Sequence, residues 1–256
     1  MQNVTFDLSL ISKYRSSLMG IATIGIIMCH AAPNGVNLPP LLKSVFGLGQ
    51  LGVDLFFFLS GFGLFYSLSK PYNSAWEWYR KRFLRIFVPY LIIYAPALLL
   101  ICIQNAKPWW YYFYNLSTIS LWFNDGGCWF IAMLVPLYLV APLWKRVLDN
   151  TKYTVIPTVI ICIAIFSIGY VLVPYLSGYL NQVLFFFIGM AVAKYVAGGG
   201  GNRLYIKQIL LFSVIFAVLF VVYKLFPVFP LFWVLFFPIL FVTCILLNNT
   251  SVNFYR

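Results

Sequence analysis

The sequence predicts an all-α integral membrane protein, a polytopic bundle of about eight transmembrane helices with its N-terminus in the cytoplasm. Three observations support this prediction. Of the 256 residues, 63% are hydrophobic and only 9% are charged, whereas a soluble domain carries about 25% charged residues. The apolar residues come in runs of bilayer-spanning length, and the cations between those runs are unevenly distributed.

The apolar runs define the elements in order. A helix needs about 20 mostly apolar residues to cross a bilayer. Segment 108–123 is aromatic and shorter than that, and because Trp and Tyr favour the headgroup layer, we interpret it as interfacial or re-entrant. We expect one transmembrane domain over residues 1–256. Its eight candidate spans are 17–34, 45–68, 86–104, 129–145, 154–174, 179–195, 208–223 and 229–247.

The cations fix the predicted orientation. With the N-terminus inside, 14 of the 17 Lys and Arg residues fall in cytoplasmic segments, and only Lys43, Lys107 and Lys224 fall outside. Lys and Arg are enriched in cytoplasmic loops, so we expect a multi-pass protein of the cell (cytoplasmic) membrane. Because the cations lie in short segments between apolar runs, the net charge of +12 reflects topology and does not predict a nucleic-acid partner.

Two ionisable residues lie inside predicted helices. His30 is the only histidine, and Asp54 is the only acid well inside an apolar run. Such residues are costly in a membrane and indicate function by default. Their depths below the outer surface differ by about 8 Å at 1.5 Å per residue, so a His–Asp pair is one interpretation. In the alternatives, His30 bonds a backbone carbonyl or lies at the lipid interface, and Asp54 caps a helix or bonds a neighbouring one. A metal site is not expected, since no second histidine or ligand cluster is present.

Two sets of cations could bind an anion on the cytoplasmic side. Arg15 lies 15 residues before His30, and at 100° per residue both can share one helix face. The alternative is a topology anchor that snorkels to the headgroups. The second set could equally anchor the chain to anionic lipids. It places four cations within six residues: Arg80, Lys81, Arg82 and Arg85.

Three segments of the first half form a recognisable pattern. They read LMGIA at 18–22 running into MCHA at 28–31, GVDLFFFLSGF at 52–62, and YRKRFLRIFVPY at 79–90. A weaker segment comprises Trp129, Phe130 and Ile131 with Tyr138 and Pro142. In this order and spacing, the segments resemble acyltransferase family 3 of membrane proteins, the cell-surface glycan O-acyltransferases, over residues 13–145.

The resemblance implies a reaction and its partners. Such proteins typically move an acyl group, often acetyl, from cytoplasmic acyl-CoA to a hydroxyl of a glycan or related envelope molecule. His30 would be the general base or a transient acyl carrier, with Asp54 orienting it. Arg15 and the cluster Arg80, Lys81, Arg82 and Arg85 would hold the CoA phosphates. Ser60 would lie beside the reacting acyl group, and Trp109 and Trp110 would stack on sugar rings, unless they form only an interfacial belt.

The chain departs from the family pattern in three respects. The family usually has an arginine eleven positions before the histidine, where this chain has Met19, and often an arginine where this chain has Gln182. It usually has about ten helices, so eight would fit a short member or a chain incomplete at its C-terminus. Two rival interpretations therefore stay open. One is a glycan or lipid transporter or flippase, since a lone His with a buried Asp suits proton coupling; the other is an inactive partial chain.

Overall fold

The computed structural model describes residues 5–72, 74–198, 203–205, 240 and 244. This part of the chain is helical apart from turns and one short pair of strands. It divides into two units by contacts, one formed by residues 1–62 and 188–256 and the other by residues 63–187. Helices α4 and α9 each contribute residues to both units.

The first unit contains the N-terminal helices. Its strands pair antiparallel, with Phe6 opposite Leu204. A 3-10 turn at Leu48–Gln50 joins α3 to α4. The elements are β1 (Thr5–Asp7), α1 (Ser9–Lys13), α2 (Arg15–Ala31), α3 (Pro40–Gly47), the start of α4 (Leu51–Leu68), the end of α9 (Ser177–Ala197) and β2 (Arg203–Tyr205).

Glycines allow α2 and the start of α4 to pack backbone to backbone. A Cβ atom at Gly52 would lie 2.5 Å from the carbonyl oxygen of Ala22, and one at Gly49 would overlap the carbonyl oxygen of Gly25. Small residues permit such close approach between membrane helices. Residue numbers rise along one helix as they fall along the other, so the two helices run antiparallel with Ala22 level with Gly52.

The second unit contains the longest helices. Ser74 caps α5 by accepting a hydrogen bond of 3.1 Å from the backbone N–H of Glu77. Short 3-10 turns precede α7 and α9 at Ile119–Phe123 and Pro174–Leu176. The helices beyond the end of α4 are α5 (Ala75–Gln104), α6 (Trp109–Leu116), α7 (Trp129–Asp149), α8 (Val155–Val171) and the start of α9.

The segment after α5 folds back along it. The hydroxyl of Tyr90 donates a hydrogen bond of 2.9 Å to the carbonyl oxygen of Leu116, the last residue of α6. Tyr90 is the 16th of the 30 residues of α5, a helix about 45 Å long. The chain therefore returns to the middle of α5 before α7 begins. This course favours the re-entrant of the two predicted interpretations, and the position of the segment relative to a bilayer stays a prediction.

Four helical segments are long and apolar enough to cross a membrane within the described residues. They are Pro40–Leu68, Ala75–Gln104, Trp129–Asp149 and Pro174–Ala197. The segments Arg15–Ala31 and Val155–Gly169 are apolar but shorter. The all-helical membrane architecture is thus confirmed. The predicted spans 208–223 and 229–247 lie outside the described residues, and the total of eight and the cytoplasmic N-terminus stay predictions.

One predicted boundary was wrong by a full three turns. The third span was expected to begin at residue 86, but α5 begins at Ala75. The hydropathy of residues 75–85 is low because they carry the cationic cluster, yet the cap at Ser74 and the helix-compatible residues after it start the helix early. The cluster therefore lies on helical turns, which assigns its members to different faces.

Candidate functional site

His30 lies in the last turn of α2 and its side chain is exposed. Its backbone carbonyl accepts bonds from Asn34, at 3.2 Å from the backbone nitrogen and 2.7 Å from Nδ2. The imidazole itself forms no hydrogen bond with any described residue. No described backbone carbonyl therefore holds the ring, and the role of His30 in proton transfer stays a prediction.

Asp54 has a different environment. Only 2% of the residue is exposed, and Oδ1 has no hydrogen-bond partner within the described part of the chain. A buried polar oxygen without a bond is costly, so the residue is not a helix cap satisfied through this atom. Asp54 is thus a buried carboxyl group whose Oδ1 atom forms no hydrogen bond with any described residue.

The structure does not bring His30 and Asp54 together. Gly52 directs its Cβ position toward α2, and Asp54 is two residues further on, which is 200° round the helix. Its side chain therefore leaves α4 on the side away from α2. In the register that places Ala22 level with Gly52, Asp54 is level with Gly20, about 15 Å along the axis from His30. The predicted depth difference was about half this value because the 3-10 turn and α3 extend α4 at its start.

Arg15 reaches the middle of α4. Its Nε donates a hydrogen bond of 3.2 Å to the carbonyl oxygen of Leu59. The next residue, Ser60, is only 7% exposed. The side chain of Arg15, predicted to contact CoA, therefore reaches α4 next to Ser60, which is predicted to contact the acyl group. Contact of either residue with a ligand stays a prediction. Met19, at the family's arginine position, is half-buried on α2.

A cationic cavity of about 290 Å³ lies where α4 ends and α5 begins. Three cations and one carboxylate line it, so its charge is positive. Two of the four predicted cluster members, Lys81 and Arg82, belong to the lining, while Arg80 and Arg85 are exposed elsewhere on α5. The lining residues are Ser67, Lys70, Pro71, Tyr72, Glu77, Trp78, Lys81 and Arg82.

Contacts around Ser67 hold the cavity wall in place. Trp78 donates from Nε1 to the Ser67 hydroxyl at 2.9 Å, and Arg82 donates a short hydrogen bond to the same oxygen. The Arg82 guanidinium also lies 5.9 Å from the centre of the Trp78 ring. Lys81 forms an exposed ion pair of 2.6 Å with Glu77. Arg82 is thus held by Ser67 and Trp78, whereas the side chain of Lys81 is exposed.

Lys70 and Tyr72 were not among the predicted site residues. Lys70 follows the end of α4 and Tyr72 precedes the cap of α5, so both come to the cavity because the chain turns there. The sequence signal that could have found Lys70 is its spacing of 11 residues from Lys81, with Pro71 and Ser74 between them. In the sequence, Lys70 is interpreted only as one of the cations of the cytoplasmic segments.

Trp109 and Trp110 face outward from α6. They are 69% and 65% exposed, whereas their neighbours Tyr111 and Tyr112 are half-buried. Gln182, at the other departure from the family pattern, is 8% exposed, and its Oε1 has no hydrogen-bond partner among the described residues. The tryptophans are thus placed for contact with the surroundings of the unit rather than with its interior.

The apolar helices and the cationic cavity are those of a helical membrane protein with a positively charged cavity at the turn between α4 and α5. Residues 18–255 match the sequence model of acyltransferase family 3, described as an acyltransferase domain, so the chain belongs to this family. The resemblance seen over residues 13–145 is confirmed and extends through most of the chain. Comparison with curated proteins gave no match, and comparison with solved structures gave none.

Proposed function

We propose that the protein transfers an acyl group, acetyl in the first instance, from acyl-CoA to a hydroxyl of a cell-surface glycan or related envelope molecule. The observation that supports the donor is the cationic cavity. Coenzyme A carries phosphate groups and an adenine ring. Lys70, Lys81 and Arg82 supply the positive charge and donors that phosphates need, and exposed Tyr72 supplies an aromatic face for the base.

The reaction is a transfer from a thioester to an alcohol. The acceptor oxygen attacks the thioester carbonyl carbon, a C–O bond forms, and the C–S bond breaks to release the CoA thiolate. In this direct transfer His30 takes the hydroxyl proton as general base and passes it to solvent, and the thiolate takes up one proton to give CoA–SH. General-base catalysis of this kind contributes about 10²–10⁴ in rate. His30 is suited to it because its ring is exposed and unbonded within the described part.

The proposed setting is the cell (cytoplasmic) membrane. Eight spans with the N-terminus inside place residues 70–85 on the cytoplasmic side, where acyl-CoA is made, and His30 toward the outer side. The cation distribution supports this orientation. Because the C–S bond breaks only when the acceptor oxygen attacks, the acyl group would stay on CoA until then, and the thioester end of CoA would extend into the protein toward His30.

The test is acyl transfer from labelled acetyl-CoA in membranes that contain the protein. Wild type, His30→Gln and the matched control Thr23→Val on the same helix are compared after equal insertion is shown by immunoblot. We expect label in the envelope glycan with wild type and control, and a loss of at least a hundredfold with His30→Gln. Equal label in all three would leave an acyltransferase with a different base. No label in any would reject the function and favour an inactive partial chain.

A second candidate is a proton-coupled transporter or flippase of glycans or lipids. The observation that favours it is Asp54, since buried intramembrane carboxyl groups often carry protons. A transporter would move a labelled glycolipid across proteoliposomes in response to a pH gradient without consuming acetyl-CoA. An acyltransferase would consume acetyl-CoA without a gradient.

A further inference from the structure

Four tyrosines gather between the middle of α5 and the inner face of α6. The rings of Tyr90 and Tyr94 stack with centroids 5.1 Å apart. Tyr112 lies near Tyr90, and Tyr111 near Tyr94, where α6 packs along α5. Cys128, which precedes the first turn of α7, lies near both Tyr90 and Tyr94. Tyr90, Tyr94, Tyr111 and Tyr112 are called the tyrosine cluster below.

Most hydroxyls of the tyrosine cluster are not used within the protein. Tyr90 donates to the carbonyl oxygen of Leu116 at 2.9 Å. The hydroxyls of Tyr94, Tyr111 and Tyr112 form no hydrogen bond with any residue in the described ranges, although all three side chains are half-buried. A phenolic hydroxyl can donate one hydrogen bond and accept others. The cluster therefore presents three sets of donors and acceptors to a ligand.

The two faces of α6 are inverted relative to a helix of a soluble protein. Trp109, Trp110 and Phe113 lie on the exposed face, with 62–69% of each residue accessible. Tyr111, Tyr112 and buried Asn115 lie on the inner face. An apolar outer face suits lipid, and a polar inner face does not suit a dry core. The inner face therefore suits a polar environment.

The segment after α6 also favours a polar environment beside the cluster. Residues 117–128 connect the end of α6, at the middle of α5, to the start of α7, and among them Ile119–Phe123 form a 3-10 turn. Irregular backbone in a membrane protein lies where protein buries it or where it lines a water-filled cavity. The Ser120 hydroxyl donates to the carbonyl oxygen of Gly126 in this segment, and Asn115 donates to the carbonyl oxygen of Tyr111 within α6. Water or polyol hydroxyls would satisfy the tyrosines.

We infer that the tyrosine cluster binds the hydroxyl-bearing acceptor, through hydrogen bonds to the hydroxyls of Tyr94, Tyr111 and Tyr112 and contact of a sugar ring with their aromatic faces. This rests on the proposed function for the identity of the acceptor. It moves acceptor binding from the exposed Trp109 and Trp110 to the inner face of the same helix. A polyol fits this cluster, since its hydroxyl groups can both donate to and accept from the neutral phenol hydroxyls.

The test uses the full chain in phosphatidylcholine nanodiscs with O-deacetylated envelope polysaccharide as the probe. Equilibrium binding is measured by biolayer interferometry, and transfer from labelled acetyl-CoA is measured separately. Tyr111→Phe and Tyr112→Phe each remove one hydroxyl and keep the ring. Phe113→Leu, on the outer face of α6, is the matched control. Tyr90→Phe is avoided because its hydroxyl holds Leu116.

We expect each Tyr→Phe variant to weaken polysaccharide binding and raise its KM about fivefold, the loss typical of one neutral hydrogen bond, with an unchanged KM for acetyl-CoA. The control should bind as wild type does. Wild type that does not bind the polysaccharide, or variants that bind it equally well, would overturn the inference. The inference would also be overturned if phosphatidylglycerol in the nanodiscs abolished polysaccharide binding and more polysaccharide did not restore it. Tyrosine-dependent binding without acetyl transfer would support the site and reject the proposed function.

Discussion

The Nε of Arg15 donates a hydrogen bond of 3.2 Å to the carbonyl oxygen of Leu59, which ties the start of α2 to the middle of α4. Helix α2 also meets α4 at Ala22 and Gly52, and it meets the 3-10 turn before α4 at Gly25 and Gly49. One charged bond and two backbone contacts thus set the register of the pair. Arg15, predicted as a phosphate-binding residue, has a structural role as well.

Replacing Arg15 should destabilise the protein whether or not CoA is present. Arg15→Met keeps the length of the side chain and removes the donor to Leu59. Hydrogen bonds from charged groups contribute about 1.5–3 kcal/mol, and partial exposure places Arg15 at the lower end. We expect a lower unfolding temperature in detergent, with Lys43→Met as an exposed control. An unchanged unfolding temperature with a higher KM for acetyl-CoA would instead assign Arg15 to phosphate binding alone.

Glycine replacements should separate packing from helix propensity. In Gly52→Ala the new methyl group lies 2.5 Å from the carbonyl oxygen of Ala22, so the helices must move apart. Forced overpacking costs about 1–3 kcal/mol. Gly20→Ala meets nothing within 4 Å and should gain about 0.5–1 kcal/mol from helix propensity. Unfolding in mixed micelles should show effects of opposite sign; the same sign for both variants would contradict the close contact of α2 and α4.

Hydropathy and charge predicted the helical membrane fold because both depend only on the solvent around each helix. They could not predict where α5 begins, since the cap at Ser74 outweighs the charges that follow it. The course of segment 108–123 depended on a single tertiary contact, Tyr90 with Leu116. A sequence pattern of aromatic residues is the same for an interfacial and a re-entrant segment.

The candidate site was predicted in part for similar reasons. The cluster Arg80, Lys81, Arg82 and Arg85 is visible as a run, but only the turn between α4 and α5 decides that Lys81 and Arg82 line a cavity with Lys70. The depths of His30 and Asp54 were counted from expected helix ends. The 3-10 turn before α4 and the direction of each side chain changed the result, and neither is encoded in hydropathy.

The cavity separates lining cations from exposed cations, and one pair of each kind can be tested. Lys70→Gln and Lys81→Gln remove charges from the lining, whereas Arg80→Gln and Arg85→Gln remove charges from exposed positions of the same segment. We expect each lining variant to raise the KM for acetyl-CoA about tenfold, since phosphate contacts are charge-assisted, and each exposed variant to change it less than twofold. Steady-state assays in low and high salt provide the measurement. Equal effects of all four would show that the cluster acts as a surface for anionic lipids.

A double-mutant cycle tests whether His30 and Asp54 act as a unit. The predicted pair requires contact, but the structure places Asp54 on the side of α4 away from α2 and about 15 Å along the axis from His30. Sites further apart than about 10 Å usually have additive effects. We expect His30→Gln to lower kcat at least a hundredfold and Asp54→Asn to lower it by a smaller factor, with the double variant at the product of the two. A double variant no slower than His30→Gln alone would show direct coupling, and would mean that α4 turns or shifts toward His30 during the reaction.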